Sequence, residues 1–235
     1  MADWLLSLLG KALALVGKAL EGAPVPLLVG LISGWALFEL TERMRARRAH
    51  KELSQALVAE LEHAEVVVSI LVGKYARFYK HPEDVSFFAD EVRWFKNIGR
   101  HRMVQHGVLS GSLPESADFD SLSDDQLVTL YSSSRETVGT KMIMPVVDRA
   151  LSGQTLRFSI SQIQSLSVVR WQYHLLNQTA DSTREMLLLT FSVTDENNHA
   201  TVVQNHESLT GTYAMRVTVL LRVIRSALKQ LDTGR

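Results

Sequence analysis

The chain opens with apolar residues at helical spacing. Trp4, Leu5, Leu8, Leu9, Ala12, Leu15, Val16 and Leu20 recur every three or four positions, and Lys11 and Lys18 stand seven apart on a shared face. The pattern predicts an amphipathic helix over residues 1–21, lying in a membrane interface with Trp4 at headgroup level and Lys11 and Lys18 towards water. A signal peptide fits poorly, because Asp3 sits where a basic segment belongs and the lysines interrupt the apolar stretch. An alternative makes this segment the first arm of a membrane hairpin. That arrangement puts two lysines at mid-depth, at about 2.5–3.5 kcal/mol each, so it requires an oligomer with a wet interior.

The pattern then changes. Between Glu21 and Glu39 lie seventeen residues, Gly22 to Phe38, none of them charged. At ~1.5 Å per residue the run covers roughly 26 Å, against a hydrocarbon core of about 30 Å. Leu40 and the stems of flanking side chains can close the difference by snorkelling. Residues 22–40 are therefore expected to form a transmembrane helix. Pro24 and Pro26 stand at its start, where a helix tolerates proline. Gly30 and Gly34 share a face and let two membrane helices approach closely. Arg43, Arg45, Arg47, Arg48 and Lys51 follow within nine residues. A juxtamembrane basic run marks the cytoplasmic side, so residues 41–235 are placed in the cytosol, at a bacterial inner membrane.

From Thr41 to Lys80 there is no proline, and Gly73 is the single glycine. Leu57, Leu61, Ala64, Val68, Leu71, Tyr75 and Phe78 alternate by four and three, which is a heptad seam. Val66, Val67 and Ile70 widen the stripe beyond a two-stranded coil. His81-Pro82 stops the helix. A second helix starts at Pro82-Glu83-Asp84 and turns Phe87, Phe88, Val92 and Phe95 inward. Residues 107–123 read as an exposed loop. Ser123-Asp124-Asp125-Gln126 is a capping box for a short helix through Leu127, Leu130 and Tyr131. Gly139 and Pro145 break the next region into short pieces. A further helix is expected over 155–177, a capping box at Ser182-Thr183-Arg184-Glu185 opens another, and Asn205 caps the last. Residues 187–203 also suit a β-hairpin around Asp195-Glu196-Asn197-Asn198; the capping box favours helix. The fold expected is all-α: an amphipathic helix, one transmembrane helix and a cytosolic bundle of about five or six helices.

Composition narrows the functional classes. The chain has 235 residues and a formal net charge of zero, so no global field attracts nucleic acid, and none is expected as a partner. About 195 residues remain beyond the first forty, enough for one domain with a real core. There is no cysteine, which excludes disulfides, thiolate metal sites and thiol catalysis. The mean hydropathy of +0.03 owes much to the N-terminal forty residues.

Chemistry-bearing spacings are few. Glu60-Leu61-Glu62-His63 and Glu196-Asn197-Asn198-His199 both carry Glu-x-x-His, the unit of carboxylate di-metal sites in helical bundles. No pair of inward glutamates completes the set, so no metal or cofactor is assigned. Arg45-Ala46-Arg47-Arg48-Ala49-His50 is similar to the Arg-x4-His motif of HEPN-type ribonucleases. The resemblance covers six residues and implies an arginine and a histidine acting together on RNA. Here the spacing lies inside a basic run that topology already explains. Arg170 and His174 stand one turn apart, as surface pairs often do. No nucleophile elbow, phosphate-binding glycine loop or paired catalytic carboxylates are present, so no catalytic residue is assigned and no enzyme is expected. The expected role is a single-pass, membrane-anchored interaction or oligomerisation module, a homo-oligomer with an unidentified protein partner. The alternative is an oligomeric, pore-forming or membrane-disrupting effector, whose layout resembles that of some prokaryotic defence effectors.

Overall fold

The computed structural model describes residues 25–99, 122–131, 138–153, 158–193 and 195–232, together with Lys11. The chain divides into two compact units, Met1–Glu52 and Leu53–Arg235. The described residues are all-α, without strands. Six helices follow one another: α1 Val25–Lys74, α2 Pro82–Trp94, α3 Asp124–Tyr131, α4 Pro145–Gly153, α5 Ile160–Ser192 and α6 Glu196–Asp232. The amphipathic helix expected over 1–21, apart from Lys11, and residues 107–121 of the loop expected over 107–123 lie outside the described residues, as do Trp4 and Lys18. Lys11 is helical and exposed.

In the second unit the heptad seam forms the core. Leu57, Leu61, Ala64, Val68, Leu71 and Tyr75 are all buried, and Phe78 packs against them half-buried. They meet Phe88 and Val92 of α2, Leu166, Val169, Tyr173 and Leu176 of α5, and Tyr213, Leu220, Ile224, Ala227 and Leu231 of α6. Alternation by three and four puts these side chains on one face of each helix, so the faces close on a shared interior. The helix α2 begins with proline in its first turn and with Glu83 and Asp84 at the positive end of its dipole. The capping box of α3 is formed: Gln126 N–H donates to Ser123 Oγ at 3.3 Å, and Ser123 N–H donates to Gln126 Oε1 at 2.8 Å. Arg93 ties α2 to α3 through the Leu122 carbonyl at 3.2 Å and the Asp124 carboxylate at 2.9 Å.

Four boundaries differ from the sequence reading, the first being α1, which ends at Lys74, short of His81-Pro82, and is followed by a 3-10 turn over Ala76–Phe78. The helix expected over 155–177 is α5, which runs on without a break to Ser192. Its cap is Ser159, paired with Gln162 in a complete capping box. Ser182 caps nothing: its hydroxyl donates to the Gln178 carbonyl one turn back, at 3.1 Å. Two capping boxes compete along this segment. The downstream one loses because Ala180 and Thr183 are buried in the same interior as Tyr173 and Leu176, and only an unbroken helix places all four there. Residues 187–192 are helical as well, so the β-hairpin is not adopted. The last helix starts at Glu196, nine residues before Asn205, and His199 N–H donates to the Asp195 carbonyl at 2.8 Å in its first turn.

The connection before α4 is held by side chains instead of a ladder. Tyr213 hydroxyl accepts from Thr140 N–H at 3.0 Å and donates to the Thr140 carbonyl at 2.6 Å. The Asn177 amide exchanges two bonds of 2.7 Å with the Met142 backbone. Gly139 donates to Thr183 Oγ1 at 3.1 Å. A Cβ added at Gly139 would lie 2.7 Å from the Tyr213 ring and 2.8 Å from the Ala180 Cα, so this glycine is required by close approach.

Candidate functional site

The first candidate is the stretch of α1 inside the first unit. None of residues 29–40 is buried. Leu31, Leu37 and Phe38 are each more than 60% exposed, and Val29, Trp35 and Leu40 are exposed too. At ~100° per residue these six side chains point all round the helix. A helix that is apolar on every side is at home in a protein interior or a bilayer, not in water. The Gly30 and Gly34 face is open, with nothing within 4 Å of a Cβ added at either position. No described helix is long and apolar enough to cross a membrane. The uncharged part of α1 is Val25–Phe38, fourteen residues or roughly 21 Å; residues 22–24 of the run lie outside the described residues.

The cations follow directly. Arg43, Arg45, Arg47, Arg48 and Lys51 are all exposed. Arg43 Nε pairs with Glu39 at 2.8 Å and Arg45 Nη1 with Glu42 at 3.0 Å. These are short-range helical pairs, each worth a few tenths of a kcal/mol (~0.3–0.5). Five cations face three acids between residues 39 and 52, so the flank is positive but only modestly so.

The metal and ribonuclease spacings resolve differently. Glu60 faces α4, where its two carboxylate oxygens accept the N–H groups of Val146 at 3.0 Å and Val147 at 2.8 Å. It caps a helix N-terminus from another helix, satisfying two amides that have no partner within α4. Glu60→Ala is therefore expected to cost about 1–3 kcal/mol, read as a fall of about 2–4 °C per kcal/mol in thermal midpoint by circular dichroism. Glu60→Gln should recover part of it, and a midpoint unchanged in the alanine variant would show that α4 needs no such cap. Among the described residues no group of three or more His, Cys, Asp or Glu could hold a metal ion. Arg45 and His50 stand five residues apart, ~140° around the helix, and Arg45 is turned to Glu42. The helix does not bring the two together.

Arg170 and His174 meet a partner that their sequence positions do not reveal. Asp148 of α4 accepts from the Tyr173 hydroxyl at 2.5 Å through Oδ2. Its Oδ1 lies 2.8 Å from Arg170 Nε and 4.0 Å from His174 Nε2, without a well-aligned hydrogen bond. Burial, then the Asp148 carboxylate, push the Tyr173 phenol well above its ordinary range. The cluster joins α4 to α5 on a half-exposed surface.

The most buried charges are elsewhere. Arg225 of α6 donates from Nε to Glu65 of α1 at 2.7 Å, and from Nη1 and Nη2 to Glu91 of α2 at 2.5 and 2.8 Å. Its guanidinium lies over the Trp94 ring, 4.5 Å from the centroid. Both carboxylates are buried. Burial pushes the Glu91 carboxyl above its ordinary range, against the opposing pull of Arg225. The signal for this cluster was in the chain. Glu65 stands one turn from Leu61 and from Val68, and Glu91 one turn from Phe87, Phe88 and Phe95, so both lie on apolar faces. Such an acid inside an apolar stripe asks for a cation from another element.

Comparison with protein-family models, curated proteins and solved structures gives no match for this chain.

Proposed function

We propose that this chain is a membrane-tethered interaction module: residues 22–38 enter a bilayer, the basic run 43–51 stays at its surface, and the helical unit that follows is held in the adjoining aqueous phase. One observation carries this reading, the exposure of apolar side chains on every side of α1 from Val29 to Leu40. Leaving them in water is costly, at ~25 cal/mol per Å², and lipid removes that cost. The described apolar run is short, so insertion draws on residues 22–24 and on local thinning of the bilayer at fractions of a kcal/mol per Å. By the excess of cations at the flank, the helical unit lies on the cytoplasmic side of a bacterial inner membrane.

Flotation tests this directly. The full chain, mixed with vesicles containing anionic lipid, is expected to rise with them. At about 1 M salt the screening length falls to ~3 Å, and a chain held only by its cations is released. Retention in high salt supports insertion. Recovery of a soluble, compact monomer at the bottom of the gradient would refute the tether.

A further inference from the structure

The cations that follow the uncharged run of α1 are not spread evenly around the helix. At ~100° per residue, Leu37, Leu40, Met44, Arg47, Arg48 and Lys51 all fall within an arc of ~100°. Each of the six is exposed. The acids between them, Glu39 and Glu42, stand on the opposite side. Glu39 accepts from Arg43 Nε and Glu42 from Arg45 Nη1, and both of these arginines lie off the arc. Glu52, the next acid, stands ~40° beyond the edge of the arc. Among the described residues the side chains of Arg47, Arg48 and Lys51 have no hydrogen bond or ion pair. Two cations are thus neutralised by their own helix, and three stand together on one face.

We propose that this face binds anionic phospholipid, with Leu37, Leu40 and Met44 against acyl chains and Arg47, Arg48 and Lys51 against headgroup phosphates. The order along the face, apolar and then cationic, is the order met on leaving a bilayer. The three cations span ~6 Å along the axis, and a headgroup layer is roughly 5–8 Å thick. Each guanidinium can offer a phosphate two parallel N–H bonds, and lysine adds a compact charge. A membrane helix leans by about 20° on average, in a direction set by its interfacial anchors. Leaning onto this face brings the three cations to the phosphates and lifts Glu39 and Glu42 away from them. It also carries Leu40 and Met44 into the interface, which extends the apolar contact of a short run.

The side on which a cation stands matters as much as its charge. A helix is about 10–12 Å across with its side chains, and the screening length at physiological salt is ~8 Å. A cation on the far side therefore lies beyond the reach of the lipid charge. A soluble polyanion would have no use for the apolar row that continues into the cations, and a lipid uses both. The proposal rests on reading α1 as the tether, and the two fail separately: uptake by zwitterionic vesicles reports the tether, and the preference between vesicles reports the face.

The full chain is mixed with vesicles of phosphatidylcholine alone, or with vesicles rich in phosphatidylglycerol, and the bound fraction is read by flotation. A cation close to an anionic surface is worth about five-fold in partitioning, so three should favour the anionic vesicles by about 100-fold. Arg47→Ala and Arg48→Ala combined with Ala46→Arg and Ala49→Arg move two cations to the far side at constant net charge. That variant should keep a preference of only about five-fold, from Lys51. Replacing both neutral pairs, with Glu39→Gln, Glu42→Gln, Arg43→Gln and Arg45→Gln, should leave the preference at the parent value. Arg47→Gln, Arg48→Gln and Lys51→Gln together should remove it. Circular dichroism checks that each variant keeps its helical content. A parent chain that binds both kinds of vesicle equally overturns the proposal and leaves the tether standing. A far-side variant with the parent's preference overturns it as well, because net charge alone would then account for the binding. A chain that binds neither kind of vesicle overturns both readings.

Discussion

Replacing Val29 and Leu31 together with lysine is expected to release the chain from membranes. The two positions lie close to the middle of the uncharged run, and they point ~200° apart around the helix, so no single wet groove could shelter both. On insertion scales each lysine near the bilayer centre costs about 2.5–3.5 kcal/mol, and losing the apolar side chain adds a few tenths. Together the change is about 6 kcal/mol, or roughly 10⁴ in partitioning. The juxtamembrane cations supply about 1 kcal/mol each at an anionic surface and are screened by salt. On the proposed reading insertion therefore decides attachment, and the cations set orientation. In a flotation gradient the double variant should stay at the bottom, while Phe191→Lys, which puts a single lysine on an exposed apolar position of α5, should float like the parent chain. If the double variant still floats in high salt, the α1 stretch is not what enters lipid.

The second large effect is expected at Arg225. Arg225→Met leaves two buried carboxylates without their cation and removes the guanidinium from the Trp94 ring. Breaking a buried ion network from one side costs about 3–5 kcal/mol, which at ~2–4 °C per kcal/mol lowers the thermal midpoint by on the order of 10 °C. The effect should depend on pH with a definite sign. Glu91 is already pushed upward by burial, so its contribution favours the folded state most at low pH, below the ordinary carboxylate range. That contribution is lost as the pH rises through the raised value. Removing Arg225 takes away the charge that opposes this, so the Glu91 carboxyl moves further up. The deficit of the variant relative to the parent chain should be largest at neutral pH and narrow on acidification. Adding Glu65→Leu and Glu91→Leu to Arg225→Met should recover much of the loss, because an apolar replacement of the whole network leaves no uncompensated charge. A variant as stable as the parent at pH 7 would mean that water, not Arg225, satisfies these carboxylates.

Much of the bundle is legible in the chain because a helix repeats its faces every 3.6 residues. The seam from Leu57 to Tyr75 is buried residue by residue where its period places it. The cap at Ser123 needs only a residue three positions away, which is why it can be read locally. The cap at Ser182 can be read just as easily and is not used. A hydroxyl can serve the helix it starts or the helix it sits in, and the choice falls to Ala180 and Thr183, whose burial needs an unbroken α5. The same limit applies to the candidate sites. Glu60 carries the first letter of a metal motif, but its carboxylate is taken up by amides 86 and 87 residues away, a distance no local spacing encodes. Arg170 and His174 are neighbours by sequence, yet it is Asp148 from another helix that gives them their role.

The sequence by itself determined the helical class, the inward face of each long helix and the uncharged run with its basic flank, because periodicity and charge are properties of neighbouring residues. Tertiary structure alone decided which caps are used, which acids are buried and by what they are matched. Those outcomes depend on free energies of burial and pairing between groups far apart in the chain, and these come into existence only when the helices have met.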